Sequence, residues 1–214
     1  SQSGVLETIL AHPSALVGGV LRPGAGQPAS PRERILAAAS DRFTRQGVGA
    51  TGVDALIESA GVAKATFYRH FPSKDDLIVA WLRDPRTRWI ERIRSDVEDA
   101  ATPPAEVIPA FFAAVADWLD GDGARGCPYL DTAIGMADLA QPARTVVREY
   151  LAEVEGYLRD QLVALGRTDA NTLAPQLYAL LAGGITLSVA AGDITPALAA
   201  RDAAKVLLQP RPEG

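Results

Sequence analysis

Apolar residues recur along most of this chain at intervals of three and four, not at alternate positions, so the pattern predicts helices throughout. The first clear helix opens at Ser30, with Ser30 as N-cap, Pro31 in the first helical position and Glu33 completing a capping box. Ile35, Leu36, Ala39 and Phe43 form its apolar stripe, and Gly47 ends it. Two short helices follow. In the first, Thr51 is the expected N-cap with Asp54 as its partner, Val53, Leu56 and Ile57 make the apolar face, and Gly61 is the stop. The second runs from Ala63 to Phe71. Ser73, capped with Asp76, then opens a longer helix to about Asp99. Leu77, Trp81, Ile90 and Ile93 are its inward positions, and Pro85 predicts a kink or a break within it.

Beyond a boundary at Thr102-Pro103-Pro104 the same periodicity continues. Pro104 to Asp120 reads as a helix with Val107, Phe111, Val115 and Trp118 on one side. A loop at residues 121–126 precedes a short helix from Cys127 to Ala140. Gln141-Pro142 begins a long one to Gly166, in which Val147, Leu151, Val154, Leu158, Leu162 and Leu165 keep a 4-3-4-4-3 spacing. Thr172 to Ala191 and Pro196 to Leu208 are the last two, divided by Gly192-Asp193. The expected fold is all-α, with a three-helix N-terminal unit over residues 31–82 and a helical body over 83–214. Residues 1–30, punctuated by Ser, Gly and Pro, read as a flexible extension.

The tight glycine turn between the two short helices forces them to cross, which is the geometry of a helix-turn-helix. On the second helix Phe67 and Phe71 share the inner face, four residues apart. Lys64, Ala65, Thr66 and Arg69 are left to face outward, with Tyr68 and His70 flanking the buried edge. Small, hydroxyl and cationic groups on a short helix suit a DNA major groove: Ala65 permits close approach, Thr66 and Tyr68 can donate to phosphates, and Lys64 and Arg69 can reach guanine edges. Lys74, beside the next helix N-terminus, is a phosphate-clamp candidate.

The stretch from residue 31 to about residue 82 resembles the DNA-binding domain of the TetR family of bacterial transcription regulators. The matching residues are Phe43, Gly47, Thr51, Val53, Ala60-Gly61-Val62, Lys64, Thr66, Tyr68, Phe71, Ser73-Lys74 and Leu77. Ala63 departs from a frequent serine, Ala65 from a frequent glycine, and Leu56-Ile57 from a common Ile-Ala pair. Gly126-Cys127-Pro128 is similar to a motif in the C-terminal domains of one TetR branch, with Asp131 where that branch usually has Asn. The resemblance implies DNA contacts from Thr51, Lys64, Ala65, Thr66, Tyr68, Arg69, His70 and Lys74. It also implies a body that binds ligand and dimerises through its last two helices. Leu173, Leu177, Leu180, Leu181, Gly184 and Leu187 are the expected dimer contacts.

A net charge of −5 fits a DNA binder poorly until it is divided. Residues 31–88 hold ten Lys or Arg and seven Asp or Glu, a net +3, whereas the remainder holds eleven and nineteen, a net −8. A basic head on an acidic body orients the molecule on a polyanion. One cysteine excludes an internal disulfide and suits a reducing cytoplasm. No apolar run is expected to span a membrane, and the start lacks the charge of a signal peptide.

No phosphate loop, zinc-spaced Cys/His cluster or nucleophile elbow appears, so neither catalytic nor metal-binding residues nor a cofactor are expected. Cys127, before a proline at a helix start, reads as packing and not as a redox sensor. Trp89, Phe111, Val115, Trp118, Tyr129, Met136 and Tyr150 are candidates to line an apolar effector pocket, with Asp117, Arg125 and Asp131 as nearby polar groups. The reading is therefore a dimeric repressor that binds a palindromic duplex operator and is released by a small apolar effector. The alternative is a small-molecule-binding helical protein without DNA function.

Overall fold

The computed structural model describes residues 29–135 and 141–209, and every regular element among them is helical. Apart from its last two residues, the expected N-terminal extension lies outside the described residues, as do Met136 and the expected end of the helix that contains it. The head comprises α1 (Pro31–Gln46), α2 (Val53–Ala60), α3 (Lys64–His70) and α4 (Lys74–Leu82). The body comprises α5 (Trp89–Asp99), α6 (Val107–Asp120), α7 (Pro128–Gly135), α8 (Gln141–Ala164), α9 (Ala170–Ala191) and α10 (Thr195–Leu208), with a 3-10 turn at Pro104–Glu106 leading into α6.

The predicted stripe of α1, Ile35, Leu36, Ala39 and Phe43, is buried, as are Leu56 of α2, Phe67 of α3, and Leu77 and Trp81 of α4, and α1 packs against all three of these helices. Phe43 meets Trp81 edge-on, with ring centroids 5.1 Å apart. Gly47 ends α1 in the left-handed region at φ +80°, its N–H donating to the Phe43 carbonyl at 2.9 Å. The start of α2 departs from expectation. The N-cap is Gly52, with no side-chain cap, so the predicted Thr51–Asp54 capping box does not form. Thr51 is buried, and its hydroxyl donates at 2.8 Å to the Gly47 carbonyl, one of the acceptors that the end of α1 leaves open. At α4 the box forms as read: the Asp76 N–H donates to Ser73 Oγ at 3.1 Å, and the Ser73 N–H to Asp76 Oδ2 at 3.0 Å.

The helix expected over residues 73–99 is broken at Pro85 into α4 and α5. Asp84 organises the turn between them. It accepts from the Arg86 backbone N–H and Nε, each at 2.9 Å, and from Nη2 at 2.6 Å. Two body tyrosines meet the two sides of the break. Tyr129 Oη donates to the Leu82 carbonyl at the end of α4, and Tyr150 Oη accepts the Ile90 N–H at 3.1 Å in the first turn of α5. Both are groups that helix ends leave without an intrahelical partner. The two rings stack at 3.6 Å and 11°. Arg88 adds charge to the same place, with Nη2 2.5 Å from Glu153 Oε2 on α8.

In the body, α9 packs against α8 and α10, and α10 also packs against α6. Gly184 makes the α9–α10 approach possible: a Cβ there would lie 2.9 Å from Ala200 Cβ and 3.2 Å from Ala197 Cα. Contrary to the sequence reading, α9 is long and apolar enough by length and composition to cross a membrane. Its Leu173, Ala174, Leu177, Leu181 and Ile185 are nonetheless buried in the helical core.

Candidate functional site

A seven-residue helix is too short to persist alone in water, so tertiary contacts must hold α3. Ala63, its N-cap, offers no side-chain acceptor, and the N–H groups of Thr66 and Phe67 both donate to the Ala63 carbonyl at 2.9 and 3.0 Å. Phe67 is fully buried and Phe71 nearly so, their centroids 6.3 Å apart, with the Arg32 guanidinium 5.5 Å over the Phe71 ring. The turn before α3 is fixed at Gly61, at φ +59°, where the Val62 N–H reaches back to the Ile57 carbonyl at 3.4 Å. From α1, Arg34 Nη1 donates to the Gly61 carbonyl at 3.1 Å and Arg42 Nε to Ser59 Oγ at 2.6 Å. Sequence reading missed these two arginines, since a surface arginine carries no signal of the acceptor it meets.

With its inner face so anchored, α3 turns Lys64, Ala65, Tyr68 and Arg69 outward, with Thr66 and His70 half-buried beside them. Lys64 Nζ is 3.5 Å from Asp54 Oδ1, a loose pair between two well-exposed groups. Arg69 has no carboxylate within ion-pair distance among the described residues. Lys74, half-buried at the start of α4, has its ammonium pKa lowered by burial, against the opposing pull of Asp75. All the expected DNA contacts therefore lie at the surface except Thr51, whose side chain braces the head from inside.

The expected apolar pocket is only partly placed by the aromatic residues the sequence singles out. A small void of about 10 Å³ is lined by Trp89, Cys127, Tyr150, Leu151, Tyr178 and Ile185, among others. That is room for about one water molecule. Trp89 and Tyr150 line it as expected, whereas Tyr129 stacks behind Tyr150 and Trp118 behind Trp89, at 4.9 Å and 20°. Phe111 and Val115 are ordinary buried core, Phe111 lying 5.0 Å from the Tyr157 ring, so neither lines the void. Met136 lies outside the described residues. Tyr178 and Cys127 were not among the expected lining residues. The signal for Tyr178 was present, since Tyr178, Leu181, Ala182 and Ile185 share one face of α9 at i, i+3, i+4 and i+7.

The Tyr178 hydroxyl is buried without a hydrogen-bond partner among the described residues, and burial raises its pKa, so it stands in the wall as a protonated donor. Cys127 is fully buried and accepts the Trp89 indole N–H at 3.3 Å. Burial pushes its thiol pKa up to about 11, which leaves almost no thiolate at neutral pH.

The expected dimer contacts also divide. Leu173, Leu177, Leu181 and Gly184 are buried within this one chain, so the internal packing of α9 and not a second copy accounts for them. Leu187 is 60% exposed and Leu180 half-buried, and with Gly183 they share a face of α9. Val163 on α8 and Val206 on α10 are also exposed, at 61% and 64%.

Comparison with known proteins agrees with this architecture. A sequence model of bacterial regulatory proteins of the tetR family matches residues 35–81, and one of the LmrA/YxaF-like transcriptional regulator C-terminal domain matches residues 104–203. The HTH-type transcriptional regulator YxaF of Bacillus subtilis is 28% identical, over 83% of this chain and 95% of that protein. The HTH-type transcriptional repressor KstR2 of Mycolicibacterium smegmatis is 33% identical over 54% of this chain and 56% of its own length. A crystal structure from Streptomyces avermitilis, described as a TetR transcriptional regulator, superposes with a TM-score of 0.69 at 32% identity. It covers 82% of this chain and 98% of that one.

Proposed function

Because this chain belongs to the TetR family of transcriptional regulators, a DNA-binding family and not an enzyme family, we propose that it represses transcription as a homodimer on a palindromic operator. A small, largely apolar effector would release it. In this reading residues 31–82 are the DNA-binding head, residues 83–214 the ligand-binding and dimerisation body, and the protein works in the cytoplasm. Repression is the role that the name of KstR2 gives to that relative.

The observation that carries the proposal is the presentation of α3. Two buried phenylalanines hold it from inside, it contains no acidic residue, and Lys64, Tyr68 and Arg69 stand outward. In a dimer two such helices enter successive major grooves of the duplex. A dimer would cover some of the exposed aliphatic side chains, among them Leu187 of α9 and Val206 of α10. Effector binding is supported by the Tyr178 donor in an otherwise apolar wall. The void is too small for a ligand as it stands, so an effector must part α7, α8 and α9 to enter. A molecule that binds only the parted state shifts the population toward it.

Selection of binding sites from random duplexes tests the proposal. The expected result is enrichment of one inverted repeat, and an altered preference at a fixed base pair in Arg69→Ala. Enrichment of no sequence would overturn DNA regulation. A single half-site bound by a monomer, as measured by sedimentation, would overturn the dimer.

A further inference from the structure

We propose that a second site, at the junction of head and body, binds a small aromatic carboxylate. It is separate from the apolar void and does not rest on the effector reading above. A cleft of about 280 Å³ opens there, close to the lower end of roughly 300 Å³ for ligand pockets. Ser40 and Thr44 of α1 and Trp81 of α4 form its head side, while residues of α5, α6 and the loop before α7 form its body side.

Three observations point to the ligand. All three tryptophans of the chain, Trp81, Trp89 and Trp118, line this one cleft, and Trp89 and Trp118 stack there at 4.9 Å. Such a lining favours a flat apolar frame. Trp81 is 97% buried, and its Nε1–H has no acceptor among the described residues. A buried donor left unpaired is uncommon and calls for a partner.

The third observation is charge. Arg86, Arg92 and Arg125 line the cleft against a single carboxylate, Asp122. Arg86 is engaged by Asp84. The nearest approach of Arg92 to Asp122 is 4.0 Å, the outer limit of an ion pair, and Arg125 makes no ion pair with any described residue. Guanidinium groups with unused donors match a carboxylate in geometry as well as charge. With Asp122 in the same wall, a monoanion suits the site better than a phosphate dianion.

The walls belong to both parts of the molecule, so a ligand held here resists any motion that separates α1 and α4 from α5 and α6. Trp89 also lines the apolar void, which makes one indole the partition between the two sites.

Titration of the full chain with para-tert-butylbenzoate, followed by tryptophan fluorescence and calorimetry, tests the proposal, with para-tert-butylbenzamide as the neutral twin. The expected result is saturable binding of the acid and binding of the amide at least tenfold weaker. Arg92→Gln combined with Arg125→Gln should lower affinity for the acid at least tenfold, and Trp81→Phe, which removes the N–H donor together with part of the indole ring, at least fivefold. Tyr178→Phe, in the apolar void, should leave it unchanged. Absence of saturable binding, equal binding of acid and amide, or wild-type affinity in the arginine or Trp81 variants would overturn the site.

Discussion

Adjacent glycines in α9 should respond to the same substitution with opposite sign. Replacing a mid-helix glycine by alanine is worth about 1 kcal/mol from backbone propensity alone. At Gly183 an added Cβ meets nothing within 4 Å, so Gly183→Ala should gain that whole amount. At Gly184 the new methyl would lie 2.9 Å from Ala200 Cβ and 3.2 Å from Ala197 Cα. Comfortable carbon contacts are about 3.5–4.0 Å, and neither neighbour is the yielding tip of a long side chain. α10 would have to move away from α9. Overpacking of this kind costs about 1–3 kcal/mol, which offsets the propensity gain and leaves Gly184→Ala less stable by up to about 2 kcal/mol. For a chain of this size 1 kcal/mol corresponds to about 2–4 °C in Tm. Calorimetry at a fixed protein concentration should show Gly183→Ala melting about 2–4 °C higher and Gly184→Ala up to about 8 °C lower. A Gly184→Ala chain that gains as much stability as Gly183→Ala would refute the close α9–α10 approach. A Gly183→Ala chain that instead dissociates more readily would show a second copy pressed against that open face.

Three further substitutions or measurements address the head, its attachment and the buried thiol. Tyr129→Phe keeps the ring on Tyr150 but removes the hydroxyl from the Leu82 carbonyl, and urea denaturation should show a loss of about 1–3 kcal/mol; a change under about 0.5 kcal/mol would mean the bond contributes little. Lys74→Ala should weaken binding to all duplexes alike and lower the salt slope by about 1, whereas an unchanged slope would remove Lys74 from the phosphate contacts. Native Cys127 should alkylate slowly at neutral pH and faster as pH rises toward its value of about 11, since only the thiolate reacts. Unfolding in guanidinium should abolish that protection, and equal rates for native and unfolded chain near pH 8 would contradict the burial.

Periodicity made the helices legible because it reports which residues must leave water. Ile35, Leu36, Phe43, Phe67 and Phe71 all lie in the core, and Pro85 breaks the chain where a missing N–H forbids helix. What periodicity cannot report is the identity of the surface across from a buried face. Gly184 carries the marks of close helix contact, but the contact is with α10 of the same chain. Thr51 was misread because the N-cap falls one residue later, at Gly52, and a buried hydroxyl finds the nearest open carbonyl instead. In the cavity, size misled. Trp89 and Tyr150 do line the void, but Phe111 fills the core, and the unpaired polar group in the wall is Tyr178, set inconspicuously among leucines and alanines.

The paired rings of Tyr129 and Tyr150 have a mechanical consequence. Each touches one side of the interruption at Pro85, so the stiffness of that joint depends on the body as well as on the Asp84–Arg86 bonds within it. Prising the rings apart would slacken both anchorages together, and the head would gain freedom without any alteration to the residues proposed to face DNA. The tightness with which such a molecule grips its operator can thus be retuned by substitutions remote from the duplex, leaving the bases it reads untouched.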